Sequence, residues 1–352
     1  MSETNCIVVC SDMPELDKSP AAGETIVEGI RIAPTKKALS TNDLAIRYSP
    51  ALYPTAWPEN SPGQQEKDSL RLDSLLEQGY MFPIDDHEQA RLDHLHSVIR
   101  SFRGDLLDVK LPKKPRVLDL GTGTGIWAIQ VSDMLWKSLE DHALVHGLDM
   151  SLMQPQLIPY SVSFTQGDIE GSWPLQHGYD LIHIQSMLGA VRHWKGVYEK
   201  AFSFLQDDGH LQHVEIEWKF FAENGSPMRE SALTIWSDAL HRAMRKAGLP
   251  LDIDRRTTSL LEAVGFADVT ESVIQLPVNP WDNQDIKTGL GWNKAITDAV
   301  EAMSKVPLTR IEGKPMEEVL QLVKEVRQQV CNLSMHAYCK LYIWRARKPI
   351  IL

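Results

Sequence analysis

The sequence predicts an α/β fold: a doubly wound parallel sheet preceded by a helical lid and followed by further helices and loops. Three observations predict it. From residue 116 onward, apolar runs of strand length alternate with stretches of helical period, the pattern of strand–helix–strand crossovers. A glycine-rich turn, Gly121-Thr122-Gly123-Thr124-Gly125, joins the first such run to the first such helix. Acids stand at the ends of three successive strand candidates, Asp119, Asp149 and Asp168. In open α/β sheets ligands bind outside the carboxyl ends of the strands.

Taken in order, residues 1–45 carry scattered Pro, Gly, Ser and charge without a period and read as a flexible lead. Pro50, Pro54, Pro58 and Pro62, with Tyr53 and Trp57 between them, exclude a continuous helix or a central strand. An extended arm lying on the domain fits them. A helix then opens at Asp85, where Glu88 completes a capping-box pattern. Leu92, Leu95, Ile99 and Phe102 recur at helical spacing, with Arg91, Asp93 and Arg100 elsewhere, until Pro112 and Pro115 end the segment. Strands are expected at 116–120, 143–148, 162–165, 179–184, 210–220, 269–276 and 338–346. Helices are expected at 126–135, 197–205, 227–247, 255–264 and 316–330, with Gly265 as a C-cap. Residues 277–315, with Pro277, Pro280, Trp281 and Trp292, read as irregular. Four parts result: a lead (1–45), an arm and lid helix (46–111), a ligand-binding core (112–225) and a C-terminal cover (226–352).

Composition narrows the class. The 352 residues hold 36 Lys and Arg against 47 Asp and Glu, a net charge of −11, which argues against a whole-chain basic surface for nucleic acid or anionic membrane. No apolar run approaches the ~18 residues of a membrane helix. Residues 6–10 are too short and lack the basic lead-in of a signal peptide. Cys6 and Cys10 lie far from Cys331 and Cys339, and neither pair has metal-site spacing. Reduced thiols in the cytoplasm or nucleus follow, and no metal is expected.

The glycine turn selects among ligands. Dinucleotide binding asks for G-x-G-x-x-G, but here the third glycine comes one residue early, at Gly125. No G-K-[ST] ends the loop, which excludes a P-loop. Asp119 stands where a pyrophosphate would come close, and a carboxylate suits a cation better. S-adenosylmethionine carries an ammonium and a sulfonium and no phosphate, so the loop fits it. Asp149 can take both ribose hydroxyls as a two-acceptor group, and Asp168 can accept the adenine amino group while Ile169 packs on the ring. Each acid singly reads as a loop acid; three at successive strand ends do not.

With these residues in view the chain resembles the class I S-adenosylmethionine-dependent methyltransferases, a Rossmann-like fold, and within them the fungal LaeA-like group. The carriers are Gly79-Tyr80-Met81-Phe82-Pro83, Asp85 to Asp93, Leu118 to Trp127, Tyr179 to Ile184, Pro280-Trp281, Gly291-Trp292-Asn293 and Met335-His336-Ala337-Tyr338. The resemblance spans roughly residues 45–350. It implies that Tyr80, Asp119, Gly121, Thr122, Gly123, Asp149, Met150, Asp168, Ile169 and Gln185 surround the cofactor. Ser186, Trp281, Trp292 and His336 would border the substrate. Gln185 replaces a frequent Arg of the family, and His193-Trp194 a less basic pair, so substrate identity does not carry over.

Methyl transfer from a sulfonium needs nucleophile, carbon and sulfur in line and water excluded. An oxygen nucleophile wants a base. His193 reads either as that base or as an exposed loop histidine. His213, Glu215 and Glu217 share one face of a strand by period-two alternation, so either they reach the cleft or the strand is exposed. Glu215 is the second candidate base. His94 and His96 diverge on their helix. Trp281 and Trp292 line a substrate pocket or pack beneath a loop, and His336 is a pocket residue or a structural histidine. Three functions stay open: O-methylation of a small secondary metabolite, a LaeA-like nuclear regulator acting through protein partners, and a cofactor-binding fold with other chemistry.

Overall fold

The computed structural model describes residues 80–139, 143–280 and 286–350. The expected lead, the proline-spaced arm and Trp281 lie outside the described residues. Helix α1 (Asp86–Arg103) opens as expected, with Asp85 accepting from the Glu88 amide at 2.8 Å. The reciprocal half of the capping box is not formed. The Glu88 carboxylate instead turns to Arg91, and the buried face takes in Glu88, Arg91 and His96 beside Leu95, Val98 and Ile99.

Strands β1 (Arg116–Leu120), β2 (Leu144–Asp149), β3 (Val162–Gln166), β4 (Tyr179–Gln185), β5 (Leu205–Ala222), β6 (Ala267–Pro277) and β7 (Ala337–Arg347) follow. Among the described residues these seven form one sheet, ordered β3-β2-β1-β4-β5-β7-β6. The first five pair in parallel, and β7 runs antiparallel between β5 and β6. The α/β doubly wound expectation holds, with one strand reversed. Because β1 has β2 on one side and β4 on the other, strand order switches there, and a crevice opens at the carboxyl ends of those two strands. Antiparallel neighbours need no crossover. The chain between β6 and β7 therefore stays on one rim of the sheet, the rim where the parallel strands end.

Helices α2 (Ile126–Leu139), α3 (Trp194–Phe204), α4 (Ala232–Lys246), α5 (Thr257–Val264), α6 (Ile286–Ala302) and α7 (Met316–Val330) cover the sheet. The segment expected to be irregular, 277–315, holds α6 and a π-helical turn at Pro307–Ile311. Gly289, Gly291, Asn293 and Thr297 are poor helix formers, which hides α6 from propensity. Burial overrides it: Trp292, Ile296 and Val300 are inaccessible to solvent.

Period-two alternation divides the core. Val117, Val145 and Leu181 pack with Trp127 and Val131 of α2, while Leu118, Leu120, Ile182 and Ile184 join a larger cluster reaching α4, α6 and α7. Asn293 ties the C-terminal part together: its amide nitrogen donates to Asn279 Oδ1 and the Val278 carbonyl at 2.9 Å and to the Val330 carbonyl at 3.0 Å. No described helix is long and apolar enough to cross a membrane. Replacing Asn293 by Ala strands those buried acceptors, so urea unfolding should report a loss of about 2–3 kcal/mol; a change under ~0.5 kcal/mol would show that the bonds contribute nothing net.

Candidate functional site

The crevice at β1 and β4 is a cleft roofed by α1 and the segment before it. Its floor is the glycine turn. Gly121, Gly123 and Gly125 all have positive φ, between 54° and 80°, which L-residues rarely adopt. A Cβ on Gly121 would stand 2.0 Å from the Met187 sulfur, so the turn and the loop after β4 approach closely only because that position has no side chain.

The three strand-end acids converge on this cleft. Asp119 is 3% exposed and accepts from the Thr122 hydroxyl at 2.6 Å. Burial, with the Asp149 charge adding to it, pushes its carboxyl up to about 7 against the relief of that hydrogen bond. Asp149 accepts from the amides of Gly123 and Ser151, each at 2.8 Å, which fixes its carboxylate at the strand end. Asp168 Oδ1 accepts from the Glu170 amide at 2.8 Å. Its neighbour Ile169 is buried, and the Ile169 carbonyl accepts from Lys200 Nζ and Trp173 Nε1. Tyr80, Thr122, Met150, Gln185 and Ser186 line the cleft too. Burial and the nearby Glu88 and Asp149 charges hold the Tyr80 phenol protonated, and its ring meets Phe82 edge-on at 5.8 Å.

Ser186 adopts φ 57°, a left-handed conformation that glycine takes easily and a serine rarely. Glu215 explains how it persists. The carboxylate accepts from the Met187 amide at 2.7 Å and the Leu188 amide at 3.3 Å, and lies 3.0 Å from His213 Nε2. His213 Nδ1 in turn lies 3.0 Å from the Tyr198 hydroxyl. Of the three ionisable groups on that strand face, Glu215 reaches the cleft, while Glu217 pairs with Arg255 at 2.6 Å. With its oxygens so engaged, Glu215 anchors a loop and is poorly placed to take a proton.

Other sequence candidates fall elsewhere. His193 is exposed before α3 and outside the cleft lining, because the Glu170 carboxylate draws its backbone amide, at 2.7 Å, toward the loop after β3. Trp292 is fully buried one layer behind the lining, its ring 6.0 Å from that of Trp218. His336 precedes β7 and pairs with Glu223 at 3.0 Å, outside the cleft lining.

Sequence reasoning missed residues of α1. Glu88, Arg91 and His96 all line the cleft. Asp93 accepts from the Thr124 hydroxyl at 2.5 Å and docks the helix on the glycine turn. Gln130 Oε1 lies 2.9 Å from Arg100 Nη1 and 3.1 Å from His96 Nε2. An arginine only donates, so that atom is the oxygen, and the imidazole nitrogen facing it carries the proton. His96 Nδ1 therefore keeps its lone pair, with Gln185 Nε2 as a long neighbour at 3.4 Å. Burial and the charge of Arg100 lower the His96 pKa, keeping the ring neutral. A spacing of three between Glu88 and Arg91 was the visible signal.

The chain is similar to known proteins over most of its length. A methyltransferase-domain family matches residues 91–271. The secondary metabolism regulator LAE1 of Cochliobolus heterostrophus is 36% identical over 77% of this chain and 90% of its own length. The secondary metabolism regulator laeA of Monascus pilosus is 36% identical over 83% of this chain and 80% of its own. The protein-methionine methyltransferase laeA of Emericella nidulans is 31% identical over 89% and 88% respectively.

Glu215→Ala should cost about 2–4 kcal/mol in urea unfolding, because one buried and one part-buried amide lose their acceptor. A loss below ~1 kcal/mol would show that the loop holds itself.

Proposed function

We propose that this chain, which belongs to the LaeA-like family of S-adenosylmethionine-dependent methyltransferases, methylates an oxygen of a small secondary metabolite. S-adenosylmethionine is its cofactor, and the residues present fit it. The carrying observation is the convergence of Asp119, Asp149 and Asp168 on one cleft beside a glycine turn. An acid buried without a counter-charge, as Asp119 is, gains from a cationic neighbour. When bound, the cofactor supplies an electrophilic methyl group on a sulfonium. Asp149 is assigned to the ribose hydroxyls, Asp168 to the adenine amino group with Ile169 on the ring, and Asp119 to the cationic end. Tyr80 covers them, with Gln185 and Ser186 at the reacting end.

The acceptor half of the cleft supports the small-molecule reading. Phe82, Leu188, Ile216, Trp218 and Met303 line it, a surface suited to an apolar, aromatic guest. His96 is the proton acceptor we favour. Its tautomer is fixed by Gln130, and its Nδ1 lone pair, met only at 3.4 Å by Gln185 Nε2, belongs to a cleft residue. Neither His193 nor Glu215 offers that. Residues 112–225 are assigned to the cofactor and 226–352 to covering the acceptor.

One observation favours a second acceptor class. Met150, Met153, Met187 and Met303 line the cleft, and the Emericella nidulans relative is named a protein-methionine methyltransferase. A thioether has no proton to lose and needs no base. Mass spectrometry of the protein incubated alone with S-adenosylmethionine tests this: a methyl adduct on a cleft methionine supports it, and an unmodified chain favours a diffusible acceptor.

Because Asp119 titrates near 7 in the free protein and a bound cation favours its ionised form, affinity for S-adenosylmethionine should rise with pH up to about 7 and then level. Below that point the slope approaches ~10-fold per pH unit, with proton uptake or release on binding. Binding below pH 7 should release a proton, and Asp119→Asn should abolish both effects. Asp149→Ala should weaken S-adenosylmethionine and S-adenosylhomocysteine about 10- to 100-fold; calorimetry with no wild-type binding would remove the cofactor assignment. Comparative metabolite profiling separates the acceptors. A deletion strain should accumulate one intermediate short of a methyl group, His96→Ala should reproduce it, and His193→Ala should not.

A further inference from the structure

One side chain of the cleft has no role in the chemistry so far. Arg91 lies in α1, 8% exposed, and lines the cleft. Its Nε and Nη2 each donate to a Glu88 carboxylate oxygen at 2.6 Å, which occupies the side edge of the guanidinium. Nη1 has no hydrogen-bond partner among the described residues. The end edge, Nη1 with the second Nη2 proton, stays open. Of the five N–H groups in this fixed fork, three are left for a guest in the cleft, two of them side by side on the end edge.

The surrounding charge sharpens the point. Carboxylates of Glu88, Asp119, Asp149, Asp168 and Glu215 line the same cleft, and Arg91 is the single permanent cation among the described lining residues. Such a cleft repels any anionic group except at Arg91. Tyr80, the Arg91 guanidinium and the acid at the end of β2 line the same volume.

We propose that the open edge of Arg91 takes the α-carboxylate of S-adenosylmethionine through two charge-assisted hydrogen bonds, with Glu88 as the positioning residue that holds the guanidinium plane. The inference rests on the cofactor reading. The amino-acid end of that molecule is a zwitterion. Its ammonium suits Asp119, but its carboxylate meets only acids unless a donor is built in. An arginine held along one edge offers a fork matched to a carboxylate.

Calorimetry with S-adenosylmethionine and its decarboxylated form tests this, since the two differ in that one group. The decarboxylated form carries more net positive charge, which an acid-lined cleft favours, so a preference for the intact molecule is diagnostic. Wild type should prefer the intact molecule about 10- to 100-fold. Arg91→Met should erase the preference and leave affinity for the decarboxylated form within about two-fold. Should the lone Glu88 charge unfold that variant, Glu88→Gln combined with Arg91→Met removes both charges and carries the same expectation. Arg91→Lys, charged but without the fork, should fall between. Equal weakening of both ligands, or a wild type blind to the carboxylate, overturns the assignment. A wild type that binds neither ligand takes down the cofactor reading, and this inference with it.

Discussion

Asp119 sits inside the protein at the end of the central strand, where ionisation has to be supported by something other than water. Thr122 gives it one hydrogen bond, which leaves the carboxyl still far above its ordinary range. Much of the neighbourhood answers that constraint. The turn that follows is glycine at alternate positions, so backbone comes close without side chains intervening. Asp149 is drawn in by the turn's own amide, adding negative potential where the first acid already lacks a partner. The result is a site that gains from a cation, which is the property our proposal assigns to the methyl donor.

The second half of the cleft is organised by a different economy. Here the chain places a left-handed serine, two amides caught by Glu215, and a hydrogen-bonded file of His213 and Tyr198 behind them. An acid that might have served as a base is used to hold backbone. The proton acceptor we propose stands across the cleft on α1, where the tautomer of His96 is set by Gln130. Helix α1 thus joins both halves: Asp93 fastens it to the glycine turn, and His96 faces Gln185 at the end of β4.

How far this was legible in the sequence varies with the physical origin of each feature. Strands β1 and β4 were plain because burial on both faces makes them nearly continuous apolar runs, and the glycine turn because positive φ leaves a compositional trace. Helix α6 was not, since Gly289, Gly291 and Asn293 weaken its propensity and only the packing of Trp292 restores it. The reversal of β7 has no local signature. Among site residues, the strand-end acids follow from topology alone. Glu88 was read as half of a capping box and Arg91 only as lying off the apolar stripe, because an (i, i+3) ion pair looks the same whether it faces water or a cleft. His193 misled for the opposite reason: its position in the chain is suggestive, but Glu170 turns the backbone there.

The excursion between β6 and β7 leaves and rejoins the sheet at the same rim, sends Met303 to the cleft, and returns through an antiparallel pairing that asks nothing of the parallel strands. Its length and side chains can drift while the nucleoside-binding strands stay under constraint. Selection for a new guest therefore has a separate stretch of polypeptide to act on, and diversification of acceptors within such a lineage need not erode the grip on the methyl donor.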